Sequence, residues 1–418
     1  MSSQKTSKSY QIAVIGLGIH GSHLAGRLVA DGIVKPEQLV GIDPAGDYAE
    51  QWKRRAANCG MGYLRSPSGH GLDPMLSTLR RMGADQGDFT PPYHRPSTRL
   101  FERHLLDWTA RHCNGVDRVR GAVEEIAYDG RVYRLRSDSG EVHSRVLILA
   151  PGPPAPLVPE TFRGLGQHPA LVHLHEHLPR PAAGSHIAIV GGGIAAAHRA
   201  LGWSEEHDVQ LWTRDPMSVW QFDSAPCFIG PRCGDRFRTI RSLQLRRDLI
   251  QRSRRPGSLP PRLYHHLQEA ASTGRITTFR AAVQTATAAG SSILLAGADP
   301  GGRPIQRLYD LVVLATGFSR EPPAAALIRQ MAQALGLARA PDGFPVPDRS
   351  LAWGPGIYVS GGLAELELGP PARNIIGAHL ASRRIIPAIA NELGRRPGRA
   401  SRARPVDGRV GEPSALQT

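Results

Sequence analysis

The sequence predicts an α/β chain built as two similar three-layer units, each with a parallel sheet and a β-meander. Three observations carry this. A short apolar run, a glycine turn and a helix-like stretch occur twice, over residues 10–30 and 186–202. Each copy is followed by short strand-like runs broken by turns. Each meander ends in an apolar strand that closes on a near-identical turn, Ala150-Pro151-Gly152 in the first and Ala315-Thr316-Gly317 in the second. The length of 418 residues accommodates two or three domains of roughly 150 residues.

Taken in order, residues 1–9 are polar and expected to be disordered. Residues 10–15 read as a buried parallel strand, 22–30 as a helix with Leu24, Ala25 and Leu28 on one face, and 39–42 as a second strand ended by Asp43. Residues 44–96 lack periodicity and hold many Gly, Pro and His, as functional or lid-like loops do. The spacing of Leu100, His104 or Leu105, and Trp108 predicts a helix over 96–111. From 116 to 149 short strands alternate with turns at Asp129-Gly130 and Ser139-Gly140, an antiparallel meander. The stretches 151–159 and 173–184 read as connectors. The pattern then restarts with a strand over 186–190, a helix over 195–202, a strand over 209–212 and a second meander over 276–314. A last strand over 356–360 leads to Gly361-Gly362 and an Ile- and Ala-rich helix over 374–389.

The glycine turns carry the chemistry. Gly16-Leu17-Gly18-Ile19-His20-Gly21 follows a strand and opens a helix. Binding a pyrophosphate needs backbone N–H groups at close range and a helix N-terminus aimed at it. Gly16 permits the tight turn, Gly18 lets the phosphate approach, and Gly21 lets helix and strand pack closely. Asp43, at the end of the next strand, is placed to accept ribose hydroxyls. Gly191-Gly192-Gly193-Ile194-Ala195-Ala196 repeats the logic with Ala196 in the last position. Its second strand ends in Arg214, which suits the 2′-phosphate of NADP; a surface pairing of Arg214 with Asp215 or Glu205 is the bland alternative. The two units are therefore expected to be dinucleotide-binding, Rossmann-like domains. Gly317, Gly361 and Gly362 each follow an apolar strand, and the helix near Asn374 would aim its positive end at a bound group.

Composition narrows the classes. Hydrophobic residues make up 41% and aromatics 6%, so the core is built mainly from Ala, Val, Leu and Ile. The formal charge is +15, with part of it in a tail after Gly394 that carries Arg395, Arg396, Arg399, Arg402, Arg404 and Arg409. No nucleic-acid motif accompanies the charge. Arginines from Arg236 to Arg255 form a basic stretch, read either as a solvated helix face or as a holder of NADPH phosphates or an anionic substrate. Cys59, Cys113, Cys227 and Cys233 include no C-x-x-C pair; Cys227 and Cys233 flank a loop, but free thiols are expected. His173, His175 and His177 alternate as one face of a strand would, yet they sit in a connector without a fourth ligand, so no metal is expected. No signal peptide or membrane span is visible, and a soluble cytoplasmic protein is expected.

Beyond the glycine motifs, Met61-Gly62-Tyr63-Leu64-Arg65, then Tyr93-His94-Arg95-Pro96-Ser97, and Phe101 with Trp108, resemble the Met…Phe-Leu-Lys and Pro-Ser-Arg-x-x-Phe…Tyr-x-x-Trp pattern of the microbial lysine/ornithine N-hydroxylases, which are class B flavin monooxygenases. The resemblance spans roughly residues 10–390. It implies FAD and NADPH as cofactors, with FAD on residues 10–180 and 321–392, NADPH on 181–320, and a basic disordered tail over 393–418. It implies that reduced flavin traps O2 as a C4a-hydroperoxide and hydroxylates a small amine or amino-acid-like substrate, with no nucleic acid or membrane partner. The oligomeric state is not legible. A dehydrogenase or reductase without oxygen insertion, or a non-catalytic nucleotide-binding protein, are the rival readings. Tyr63 and Leu64 are implied cofactor contacts. Arg65, where the family has Lys, is either a substrate or NADP contact or a tie that pairs the long loop with Asp73 or Asp85. The first glycine loop carries Ile19-His20 where those hydroxylases carry Gly-Pro.

Overall fold

The computed structural model describes residues 8–395. The expected disorder of residues 1–7 and 396–418 lies outside the described residues. In chain order the first part holds β1 (Lys8–Ile15), α1 (Ile19–Ala30), β2 (Leu39–Asp43), α2 (Glu50–Cys59), α3 (Thr78–Met82), β3 (Phe89–Thr90), β4 (Arg95–Pro96), α4 (Thr98–His112), β5 (Asp117–Arg120), β6 (Val123–Tyr128), β7 (Tyr133–Ser137) and β8 (Gly140–Leu149). The second holds α5 (Glu160–Arg163), β9 (Leu171–His173), β10 (His186–Val190), α6 (Ile194–Trp203), β11 (Asp208–Thr213), β12 (Ser218–Val219), α7 (Pro231–Thr239), α8 (Leu243–Ser253), β13 (Ser258–Leu259), α9 (Pro261–Ser272), β14 (Ile276–Arg280), β15 (Ala282–Ala289), β16 (Ser292–Ala298), β17 (Pro304–Tyr309) and β18 (Leu311–Leu314). The chain closes with α10 (Ala325–Leu335), β19 (Ala352–Gly354), β20 (Ile357–Val359), α11 (Glu365–Leu368) and α12 (Ile375–Glu392).

Two mainly parallel sheets organise the molecule. The first runs β19-β20-β8-β1-β2-β5, with β7 added antiparallel to β8 and β6 antiparallel to β7. The second runs β14-β11-β10-β18-β9, all parallel, and the antiparallel β15-β16-β17 form a separate sheet. Strands buried on both faces read as continuous apolar runs: Ile12, Ala13 and Val14 of β1, and Ile187, Ala188 and Ile189 of β10, are all fully buried. Each sheet has its own apolar core. Among the described residues, no helix is long and apolar enough to cross a membrane.

The structure corrects several expectations. β1 begins at Lys8, and α1 begins at Ile19, directly after the glycine turn. β5 and β14 were expected in the meanders but pair in parallel with β2 and β11. β9 belongs to the second sheet, so the passage between sheets falls before residue 180. The segment 44–96 contains α2 and α3. Only Ala56 of α2 is fully buried, so the helix has no apolar stripe for a periodicity argument to find. Cys227 and Cys233 are joined in a disulfide, with Cα atoms 5.2 Å apart, against the expectation of free thiols; the turn into α7 brings them together. His173 ends β9 and the chain turns after it, so the three histidines do not share a strand face.

The basic stretch proves neither solvated nor phosphate-facing as a whole. Arg246 meets Glu367 at 2.8 Å, and Arg384 of α12 reaches the same carboxylate at 3.0 Å. Arg247 pairs with Glu365, which Arg373 also holds through bonds of 2.5 and 2.9 Å. Glu365 and Glu367 are buried at 1% and 5% exposure, so α8 is locked onto α11 by two paired, buried charges.

Candidate active site

A cavity of about 2100 Å³ opens between the two sheets. Both glycine turns border it, through Ile19 and His20 on one side and Gly191–Ala195 on the other, together with Thr316, Gly317 and Phe318. The turns are built by steric need. Gly16 has φ +92°, and a Cβ there would lie 2.2 Å from the Ala150 carbonyl oxygen; one at Gly21 would lie 1.9 Å from the Gly16 oxygen. Gly191 repeats the Gly16 geometry, with φ +140° and a Cβ position 2.4 Å from the Ala315 oxygen. At Gly18, by contrast, a Cβ would meet nothing within 4 Å. Gly18 and Gly193 are the N-caps of α1 and α6, and neither helix has a side-chain cap. Open space above uncapped N–H groups is the cradle that a pyrophosphate fits.

Asp43 is buried at the end of β2. Its Oδ2 accepts the Leu17 N–H and its Oδ1 the Ala45 N–H, both at 2.8 Å, so it shapes the glycine turn and keeps lone pairs for further donors. Arg214 borders the cavity with an exposed side chain; its Nε lies 2.8 Å from Asp215, the pairing that weakened its reading in sequence. Ala196 is fully buried in the second core. Gly361 has φ +64° and lies beside His20; a Cβ at Gly362 would lie 3.6 Å from Arg373 Nε.

The segment that departs from a plain dinucleotide fold is divided. Leu64 is buried among Leu72, Leu100 and Phe101, and its N–H donates to the Pro96 carbonyl. The Tyr63 hydroxyl donates to the Gly87 carbonyl. Neither lines the cavity; Met61, Arg65 and Ser66 do. Arg65 is not paired with Asp73 or Asp85, whose cationic partners are Arg111 and the pair Arg99 and Arg103. Its guanidinium instead crosses to the second lobe. It donates to the carbonyls of Gln221 at 2.8 Å and Trp220 at 2.7 Å, and to Ser258 Oγ at 2.8 Å. Trp220 and Gln221 follow β12, and Ser258 begins its parallel partner β13.

The segment after Arg65 lines the cavity through Gly69 and His70, and behind that lining it is pinned at Gly71 and Leu72 by histidines that sequence reasoning left aside. His23 of α1 donates to the Leu72 carbonyl, His379 of α12 donates to the Gly71 carbonyl, and His104 of α4 accepts the Leu72 N–H. Burial pulls the pKa of His104 and of His379 down to about 4, and that of His23 well below the ordinary value, so these rings act as neutral braces. Two further residues were missed: Asp223, which takes hydrogen bonds from Asn374 at 3.1 Å and Arg254 at 3.4 Å, and His20 itself. Arg254 lies 31 residues from Asp223, and the other partners of these two residues lie 151 to 354 residues away, all beyond the reach of local spacing. Among the described residues, no group of three His, Cys, Asp or Glu side chains is placed to hold a metal ion.

Similar architectures exist among solved structures. The ornithine hydroxylase of Pseudomonas aeruginosa matches with a TM-score of 0.70 at 20% identity, over 92% of this chain and 100% of that one. A cadaverine monooxygenase of desferrioxamine biosynthesis from Erwinia amylovora, solved bound to FAD, matches with 0.72 at 16% identity, over 99% and 100%. The ornithine N-hydroxylase of Kutzneria sp. 744 matches with 0.70 at 15% identity, over 92% and 99%. These are likenesses of fold. No curated protein sequence matches the chain. The model of the L-lysine 6-monooxygenase/L-ornithine 5-monooxygenase family matches residues 93–320, more than half of the 418. With its two glycine turns facing one cavity, the chain belongs to that family.

Proposed function

We infer that the protein is an FAD- and NADPH-dependent monooxygenase that hydroxylates the nitrogen of a small amine or amino-acid-like substrate. The observation that carries this is the single cavity bordered by both uncapped glycine turns and by Arg65. In this reading both sheets belong to Rossmann-like domains. FAD takes the first lobe, over Gly16, Gly18, Gly21 and Asp43, with Gly361, Gly362 and the α12 N-terminus at its ring end. NADPH takes the second lobe, over Gly191, Gly193 and Gly317, with Arg214 turning from Asp215 to a 2′-phosphate. Bound there, FAD supplies hydride acceptance and oxygen activation. The chain's own part is to bind, orient and exclude water. Arg65 joins the first lobe to the β12–β13 loops and so closes the cavity wall on the nicotinamide side. The Gly69–His70 lining, anchored behind at Gly71 and Leu72 by three neutral rings, keeps the substrate end fixed. A cytoplasmic location, where NADPH is supplied, is part of the same proposal.

The test is Gly18→Val. Its Cβ enters the open space at the N-terminus of α1, so the variant is expected to purify colourless beside a yellow parent, with an unchanged circular dichroism spectrum. A variant that retains flavin in the parent's stoichiometry would show that this turn is structural only.

A further inference from the structure

His20 stands in the first glycine turn and lines the cavity. Its two ring nitrogens reach two other segments of the same lobe. Nδ1 lies 2.9 Å from Ser360 Oγ, at the end of β20, and Nε2 lies 3.0 Å from the carbonyl oxygen of Asn374, the residue before α12. A carbonyl only accepts, so Nε2 carries the proton, and Nδ1 of the neutral ring accepts from the Ser360 hydroxyl. Burial, which outweighs the Asn374 hydrogen bond, pulls the ring's pKa down to about 4, in keeping with that neutral form.

These partners are not arbitrary. Ser360 is buried at 1% exposure, and Gly361 follows it with φ +64°; a Cβ at Gly361 would sit 3.9 Å from the imidazole. Asn374 is the N-cap of α12, and its side chain is turned to Asp223 rather than onto its own helix. The N–H groups at the start of α12 thus remain without a side-chain cap, as they do at α1. One imidazole therefore joins the turn after β1, the turn after β20 and the start of α12. The first of these lies 340 and 354 residues from the other two in sequence, and His20 and Asn374 both line the cavity.

We propose that His20 is the positioning residue of the flavin cradle, setting the spacing between the pyrophosphate turn and the two segments that face the ring end of the cofactor. The role rests on the reading above that FAD occupies the first lobe. It also accounts for a departure within the family motif: the loop carries Ile19-His20, and the histidine supplies a cross-link that a purely apolar loop would lack.

Two variants separate positioning from bulk. Glutamine offers one donor and one acceptor on a single amide, so His20→Gln can keep both bonds; His20→Leu fills space and keeps neither. The measurement is the dissociation constant for FAD, titrated into the full chain stripped of flavin, with the melting temperature of each stripped protein alongside. Loss of two hydrogen bonds predicts that His20→Leu weakens FAD binding by about tenfold to a hundredfold. His20→Gln is expected to recover most of it; stripped His20→Leu should melt a few degrees lower, since the bonds it loses are internal to the fold, yet remain folded at the titration temperature. Wild-type affinity in His20→Leu, or equal losses in both variants, would overturn the positioning role while leaving the cofactor reading intact. A parent protein that binds no FAD would overturn both.

Discussion

At the residue scale, local sterics build the glycine turns, whereas Arg65 acts by reaching across the cavity to the second lobe. Gly16, Gly21 and Gly191 were legible because their requirement is local and steric: the chain must turn back against Ala150 or Ala315 without a Cβ in the way. Arg65 was legible as important but not in its geometry, since its partners at Trp220, Gln221 and Ser258 lie more than 150 residues away. The geometry now gives a sharper prediction. The fork of Arg65 holds three oxygens at once, which an ammonium cannot copy. Arg65→Ala is expected to keep its flavin content while the KM for NADPH rises roughly tenfold, because the cavity wall loses the charge-assisted tie that joins it to the second lobe. Arg65→Lys should fall between. Peroxide release per NADPH should rise in both, because a loosened wall admits water. Steady-state kinetics with peroxide detection checks this; unchanged KM and coupling in Arg65→Ala would remove Arg65 from the site.

At the element scale, the repeated strand, turn and helix were legible from apolar runs and glycine, and so was α4, whose Leu100, Phe101, Leu105 and Trp108 form a buried stripe. Elements held by polar contacts were not. α2 buries one residue and is held by Asn58, which donates to the Leu174 and Glu176 carbonyls, and by Arg199, which donates to Ala57. α8 reads as a basic surface helix, yet Arg246 and Arg247 turn inward to Glu367 and Glu365. Composition records the charges but not the acids that face them. Burial pushes the Glu365 carboxyl up, but Arg373 and Arg247 outweigh it and hold it below the usual carboxylate range. A depressed pKa means that the stabilisation is present above the unfolded-state value and is lost as pH falls through the folded one. Glu365→Gln, which leaves Arg373 without its counter-charge and Arg247 with Asp342 alone, should cost about 3 kcal/mol in urea unfolding at pH 7. The gap from the parent should narrow as pH drops below the usual carboxylate range. Equal stability at pH 7 would mean that the α8–α11 contact contributes little.

At the scale of the whole molecule, two lobes with separate cores enclose one cavity whose charge is one-sided. Arg65, Arg80, Arg214, Arg254 and Arg255 border it, while the carboxylates among its described lining, Asp215 and Asp223, are already engaged by Arg214 and Arg254. A strongly basic chain was readable as a binder of anions. That the charge gathers between two dinucleotide turns, rather than on an outer face, needed the fold. The arrangement suits two phosphorylated cofactors meeting over a small substrate. The claim that this is an N-monooxygenase is tested most directly by following O2 uptake, NADPH oxidation and hydroxylamine formation together in the flavin-loaded protein, with L-ornithine, L-lysine and cadaverine in turn. The account predicts that one of these amines makes O2 and NADPH disappear in equal amounts with hydroxylamine rising to match. NADPH oxidation that proceeds without O2 uptake, its electrons passing to another acceptor, would contradict it.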